Sequence, residues 1–208
     1  MNNIRNEQVK ILLQKLLNLF SGSQYNSVIS KCTKYLKIYP EYVVLYNLLG
    51  LSYMNIGAYN LAKKTFAKVQ KMDPTNVSIL NNLANSEKNL FNFEAAEELF
   101  NKIIDRAPKY LSAYVNYGNL MRDLNKYKDS NNLYKKALEI DAKNPIAHYS
   151  LAMNFQALGN FKISIEYAYK VLEIDPLFTK ADLLISKSKK YIKNDSHLHD
   201  METKLKND

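Results

Sequence analysis

Tryptophan is absent from the 208 residues, cysteine occurs once, and glycine and proline occur five times each. A lone cysteine excludes an intramolecular disulfide framework and fits a reducing compartment, so a cytoplasmic location is expected. Cys32 itself falls on an apolar helical stripe and reads as a buried structural thiol. Five glycines leave little material for phosphate-cradling loops. The chain contains no G-x-x-x-x-G-K-[ST] loop, G-x-G-x-x-G turn, nucleophile elbow or paired catalytic carboxylates, so neither catalytic residues nor cofactors are expected. No apolar run approaches the roughly 18 residues that a membrane-spanning helix needs.

Acidic residues are also in the minority. Against 20 Asp and Glu stand 29 Lys and Arg, a formal net charge of +9. Such a balance permits nucleic acid, anionic lipid or acidic protein as partners. The lysines are scattered over outer helix faces, however (Lys63, Lys64, Lys68, Lys71, Lys135, Lys136), and no basic-aromatic module accompanies them. A specific nucleic-acid binder or a membrane-surface binder is therefore the third-ranked reading. The opening segment MNNIRNEQVKILLQKLLNLF is interrupted at helical spacing by Glu7, Gln8, Lys10, Gln14 and Lys15, and reads as an amphipathic first helix rather than a signal peptide.

What the chain does have is self-similarity. The stretch from Leu45 to Pro74 carries Tyr46, Leu49, Gly50, Tyr53, Gly57, Ala62, Phe66 and Pro74. A shift of 34 residues puts Leu83, Ala84, Ala96, Phe100 and Pro108 on the same marks, and a second shift puts Tyr117, Gly118, Tyr134 and Ala137 there. Five units follow, 9–42, 43–76, 77–110, 111–144 and 145–178, together forming a domain over 1–178. Each holds two helix-period apolar patterns with a short polar turn between them, which predicts all-α helical hairpins in series. Gly57 can supply the positive φ of a helix end, and Pro74 cannot continue a helix. Asn144 is placed to cap the helix that Pro145 begins. A capping helix is expected over 179–193, followed by a polar tail over 194–208 that is frayed or only partly helical.

These marks resemble the tetratricopeptide repeat (TPR). The resemblance covers residues 9 to 178 and implies a right-handed α-solenoid of helix-turn-helix hairpins. Its concave groove, lined by the first helix of each pair, would hold a peptide or protein segment. Gly50, Ala84, Gly118 and Ala152 recur where the two helices of a pair must approach closely.

By the family's register, the groove would be lined by Asn47 in the second unit, by Asn81, Asn82, Asn85, Lys88 and Asn89 in the third, and by Asn116, Asn119 and Arg122 in the fourth. A side-chain amide offers one acceptor and two donors, so it can pair with the backbone of an extended ligand whatever its sequence. Asn82 and Asn116 stand one period apart, as do Asn85 and Asn119, which resembles the asparagine ladder of O-GlcNAc transferases. The competing reading is that asparagine is frequent throughout this chain and exposed helix faces accept it. The family's carboxylate clamp is rejected, because Ile146 and Ser150 stand where its cations belong. His148 occupies a packing position and reads as a core histidine. His197, His199 and Asp200 lack a fourth ligand, so no metal is expected.

Residues 186–202 are similar to the joint that follows the repeats in bacterial TPR-sulfotransferase fusion proteins. That likeness implies an alternative to a stand-alone scaffold: a substrate-recruiting module of a protein-modifying transferase, of sulfotransferase or glycosyltransferase type, whose catalytic domain is separate or missing.

Overall fold

The computed structural model describes the backbone of residues 2–192 and 195–206, and side chains from residue 10 onward within them. Among the described residues there are twelve helices and no strand. They fall into two compact units, Met1–Pro108 and Lys109–Asp208.

The first unit holds α1 (Asn2–Ser21), α2 (Tyr25–Leu36), α3 (Val43–Asn55), α4 (Tyr59–Met72), α5 (Val77–Asn89) and α6 (Phe93–Arg106). Each helix packs on the next, and α3 also meets α1 and α5, as stacked antiparallel hairpins require. The second unit holds α7 (Leu111–Asp123), α8 (Tyr127–Ile140), α9 (Pro145–Ala157), α10 (Phe161–Ile174), α11 (Thr179–Ser188) and α12 (Ser196–Lys206). There α9 meets α7, α8, α10 and α11.

Every hairpin turns in the same way. Ser23, Gly57, Phe91, Asn125 and Gly159, spaced by one period, all adopt positive φ, between 57° and 74°. In each turn the next residue's N–H reaches back to a carbonyl five residues earlier, as Ala58 does to Tyr53 at 2.8 Å and Lys126 to Met121 at 2.8 Å. This left-handed cap satisfies carbonyls that the helix end would otherwise leave unpaired.

The returns after α4, α8 and α10 are built around aspartates. Asp73 accepts from Thr75 Oγ1 at 2.9 Å and Asn76 Nδ2 at 3.1 Å, and these bonds, that of Asn76 foremost, hold its carboxyl below the usual range. Asp141 repeats the pattern with the Lys143 N–H and Asn144 Nδ2. The side-chain oxygens of Asn76 and Asn144 in turn accept from the N–H groups of Ile79 and Ala147, which caps α5 and α9. Pro145 sits in the first turn of α9, where a missing N–H costs nothing.

Close helix approach is fixed by small residues. Gly50 lies under the buried ring of Phe66, and Gly118 under that of Tyr134; a Cβ on either would sit 2.5 Å from the ring. Where Ala62 and Ala96 fill the matching position of the second helix, Ser130 and Ser164 replace them in the later hairpins. Their hydroxyls donate across the pair to the carbonyls of Gly118 and Ala152, both at 2.8 Å. Cys32 is buried with Leu16, Val28 and Leu45, and burial pushes its thiol up to about 11.

The C-terminal end departs from expectation in two ways. The cap foreseen over 179–193 is shorter, since α11 stops at Ser188 and Lys189 is extended, while residues 193 and 194 lie outside the described residues. The tail, foreseen as frayed or only partly helical, contains α12 over most of its length, and α12 is anchored by a polar network. His197, 1% exposed, bonds Asp182 Oδ1 through Nε2 at 3.0 Å and the Tyr191 hydroxyl through Nδ1 at 2.7 Å. Lys204 donates to the same Asp182 carboxylate at 2.8 Å, and Lys189 donates to Asp195 at 2.9 Å. Few apolar residues are available there, and charge-assisted bonds take their place.

Candidate partner-binding face

The sequence-chosen groove residues all lie on first helices of hairpins, α3 and α5 in the first unit and α7 in the second. In the first unit, Asn82 Nδ2 donates to Asn47 Oδ1 at 3.0 Å, so α5 and α3 are joined amide to amide. Both residues are half-buried. Asn85, also half-buried, lies one turn further, and its carbonyl accepts from Asn89 Nδ2 at 2.7 Å. Lys88 is half-buried on the same helix. Asn81 differs, because at 6% exposure it is enclosed by packing.

In the second unit, Asn116, Asn119 and Arg122 follow one another at intervals of three along α7, and all are half-buried. Asn119 Oδ1 accepts from the Tyr134 hydroxyl at 2.8 Å, which orients the amide from below. Burial raises the Tyr134 phenol above its ordinary range, with the Arg122 charge acting in the opposite direction. The phenol therefore remains a donor at neutral pH.

Such a face can exchange hydrogen bonds with a peptide backbone. An amide already held by a neighbour is pre-oriented, and a pre-oriented group loses less freedom when a ligand arrives. The Asn47–Asn82 bond is invisible as a repeat, because the two residues stand 35 apart and not one period; adjacent register positions in successive first helices are the available signal. The Tyr134 support under Asn119 has no such signal.

Of the other singled-out residues, His148 and His197 are buried. The Nε2 of His148 lies 3.0 Å from the Ala142 carbonyl oxygen. His199 and Asp200 line a cavity of about 570 Å3 beside Tyr169 and Asp182, whereas His197 is committed to Asp182 and Tyr191. Among the described residues, no group of three or more His, Cys, Asp and Glu is placed to hold a metal ion. No helix among them is long and apolar enough to cross a membrane.

Family models agree with this architecture. One described as tetratricopeptide repeat matches residues 43–76, 77–110 and 146–176, and one described as TPR repeat matches 118–159. No curated protein matches the chain significantly. Among solved structures, TTC0263, a thermophilic TPR protein of Thermus thermophilus, superposes with a TM-score of 0.76 at 16% identity, over 85% of this chain and 96% of that one. MamA gives a TM-score of 0.62 at 22% identity over 78% of this chain and 95% of its own. YrrB, described as a TPR protein with an unusual peptide-binding site, gives 0.58 at 17% identity over 83% and 88%.

Proposed function

Because the chain belongs to the tetratricopeptide repeat family, we propose that it is a non-catalytic scaffold that binds an extended peptide or protein segment on the first-helix faces of its hairpins. The observation that carries this reading is the Asn82-to-Asn47 bond, which joins two amides of successive first helices. Asn85, Asn116 and Asn119 extend the same chemistry along α5 and α7. Amides recognise the ligand's backbone, so the ligand is an unfolded or extended stretch with relaxed sequence requirements. The likeness to YrrB, a structure described by its peptide-binding site, supports a peptide as ligand. Five repeats over 9–178 constitute the scaffold, and the single buried Cys32 supports a cytoplasmic setting.

A second reading is favoured by the spacing of Asn82 with Asn116 and of Asn85 with Asn119 by one period. It is that the scaffold recruits protein substrates to a transferase carried on another domain or chain. The two readings share the same face and differ in what the bound segment meets next.

The experiment is an affinity capture with mass spectrometry, comparing the native chain with a variant carrying Asn82→Ala, Asn85→Ala, Asn116→Ala and Asn119→Ala. Loss of captured proteins with helical content intact is the expected result. Retention of every partner would refute the reading, and capture of a sulfotransferase or glycosyltransferase together with its substrates would favour the second.

A further inference from the structure

The first unit carries a second recessed surface, lined by none of the amide-face residues. Between α2, α3 and α4 lies an open cleft of about 410 Å3. Its floor is apolar, made by Leu36, Leu49 and Tyr53, with the exposed Leu61 at its edge. Its rim is Lys37, Lys64 and Lys68, all exposed, and none of the residues lining it is acidic. Tyr46, at 6% exposure, closes the base, and Lys68 bonds its hydroxyl with the ammonium 4.5 Å from the ring centroid.

The next hairpin differs at one of these lining positions. One period after Tyr53 stands Glu87, whose carboxylate is held by Lys63 of α4 at 2.9 Å and by Asn92 at 2.8 Å. There the chain supplies its own carboxylate. In the α2–α4 cleft a tyrosine takes that position, and three ammonium groups surround an apolar floor without a carboxylate among the lining residues.

We propose that this cleft is a second docking site, and that its occupant is an acidic peptide segment with one aromatic or large aliphatic anchor. The anchor enters between Leu36, Leu49 and Leu61, and flanking Asp or Glu side chains meet Lys37 and Lys64. Charge complementarity selects the acidic partner. The largely aliphatic floor selects a side chain over a phosphodiester strand, which needs stacking platforms tracked by a basic groove. This site is independent of the amide face, so either can fail without the other.

The test is fluorescence anisotropy on the full chain with a fluorescein-labelled peptide of Asp and Glu around a central Phe. Lys37→Glu with Lys64→Glu is expected to weaken binding by about tenfold or more. Lys135→Glu with Lys136→Glu on α8, an equal change of net charge, is expected to leave it unaltered, and replacing the peptide's Phe by Ser is expected to weaken it. Lys37→Gln with Lys64→Gln gives a loss of intermediate size and serves if the reversed pair does not fold. Equal weakening by both lysine pairs, equal binding of the Ser peptide, or no measurable binding by the native chain would overturn the proposal. Tighter binding of a single-stranded oligonucleotide through Lys37 and Lys64 would overturn it as well, in favour of a nucleic-acid site.

Discussion

The side-chain amide of Asn82 on α5 donates to Oδ1 of Asn47 on α3 across 3.0 Å, a bond between two residues one hairpin apart. It couples successive first helices at a half-buried position, where a hydrogen bond contributes on the order of 0.5–1.5 kcal/mol net. Asn47→Ala and Asn82→Ala are each expected to lower stability by about that amount, and the double variant by less than their sum. Urea unfolding of the four proteins measures the coupling. Additive losses would mean that the two amides act separately.

Gly50 and Gly118 are held by the rings above them. A Cβ at either would lie 2.5 Å from the Phe66 or Tyr134 ring. Overpacking of that kind costs about 1–3 kcal/mol, against a gain of up to about 1 kcal/mol in helix propensity. Gly50→Ala and Gly118→Ala are therefore expected to lower the melting temperature, and Phe66→Leu to restore part of the loss in the first case. A higher melting temperature for Gly50→Ala alone would contradict the assigned role.

Gly57 is required by its backbone alone. Its φ is +74°, yet a Cβ there would meet nothing within 4 Å. Asn125 occupies the equivalent turn two hairpins later with φ of 59°. Gly57→Asn is expected to be nearly neutral, whereas Gly57→Val is expected to cost about 1–2 kcal/mol, because left-handed backbone is strained for a branched L-residue. Thermal unfolding of the two variants distinguishes backbone strain from packing, since equal losses would indicate a steric cause.

The Lys189–Asp195 pair gives the start of α12 a defined pH window. The hydrogen bond from Lys189 holds the Asp195 carboxyl below its ordinary range, and its counterpart raises the Lys189 ammonium. The aspartate's contribution is present above its unfolded pKa of about 3.9 and is lost as pH falls through the lower folded value. That of the lysine is complete below its unfolded pKa of about 10.4 and is lost as pH rises through the higher folded value. Lys189→Met is expected to speed amide exchange in α12 at pH 7, and the difference from the native chain is expected to vanish in strong acid. An equal difference at both pH values would remove the ion pair from the explanation.

Much of the fold is written in local pattern. The 34-residue period locates small residues such as Gly50 and Gly118, and Asn144 with Pro145 announces the start of α9, because each of these roles depends on near neighbours or on repetition. The Phe91 turn is less legible. Its φ of 62° belongs to a residue type that disfavours it, and only its place in the period identifies it. The C-terminal network is illegible for a different reason. Asp182 meets His197 and Lys204 across 15 and 22 positions, with no repeat to align them, so a polar composition reads as a tail that is frayed or only partly helical. Within the candidate site, the register gives the candidate residues and places Asn47 and Asn82 at adjacent positions of successive first helices, but the Tyr134 bond to Asn119 leaves no trace in spacing.

Site-specific photo-crosslinking tests the partner-binding face most directly. A benzophenone side chain introduced at Asn85 on α5 or Asn116 on α7 reports contact at the first-helix face of its own unit, and one at the exposed Asn132 on α8 serves as control. Crosslinks to a protein partner from Asn85 and Asn116, lost on addition of unlabelled partner and absent from Asn132, are the expected result. Crosslinks from Asn132 with none from Asn85 or Asn116 would contradict binding by the first-helix amides.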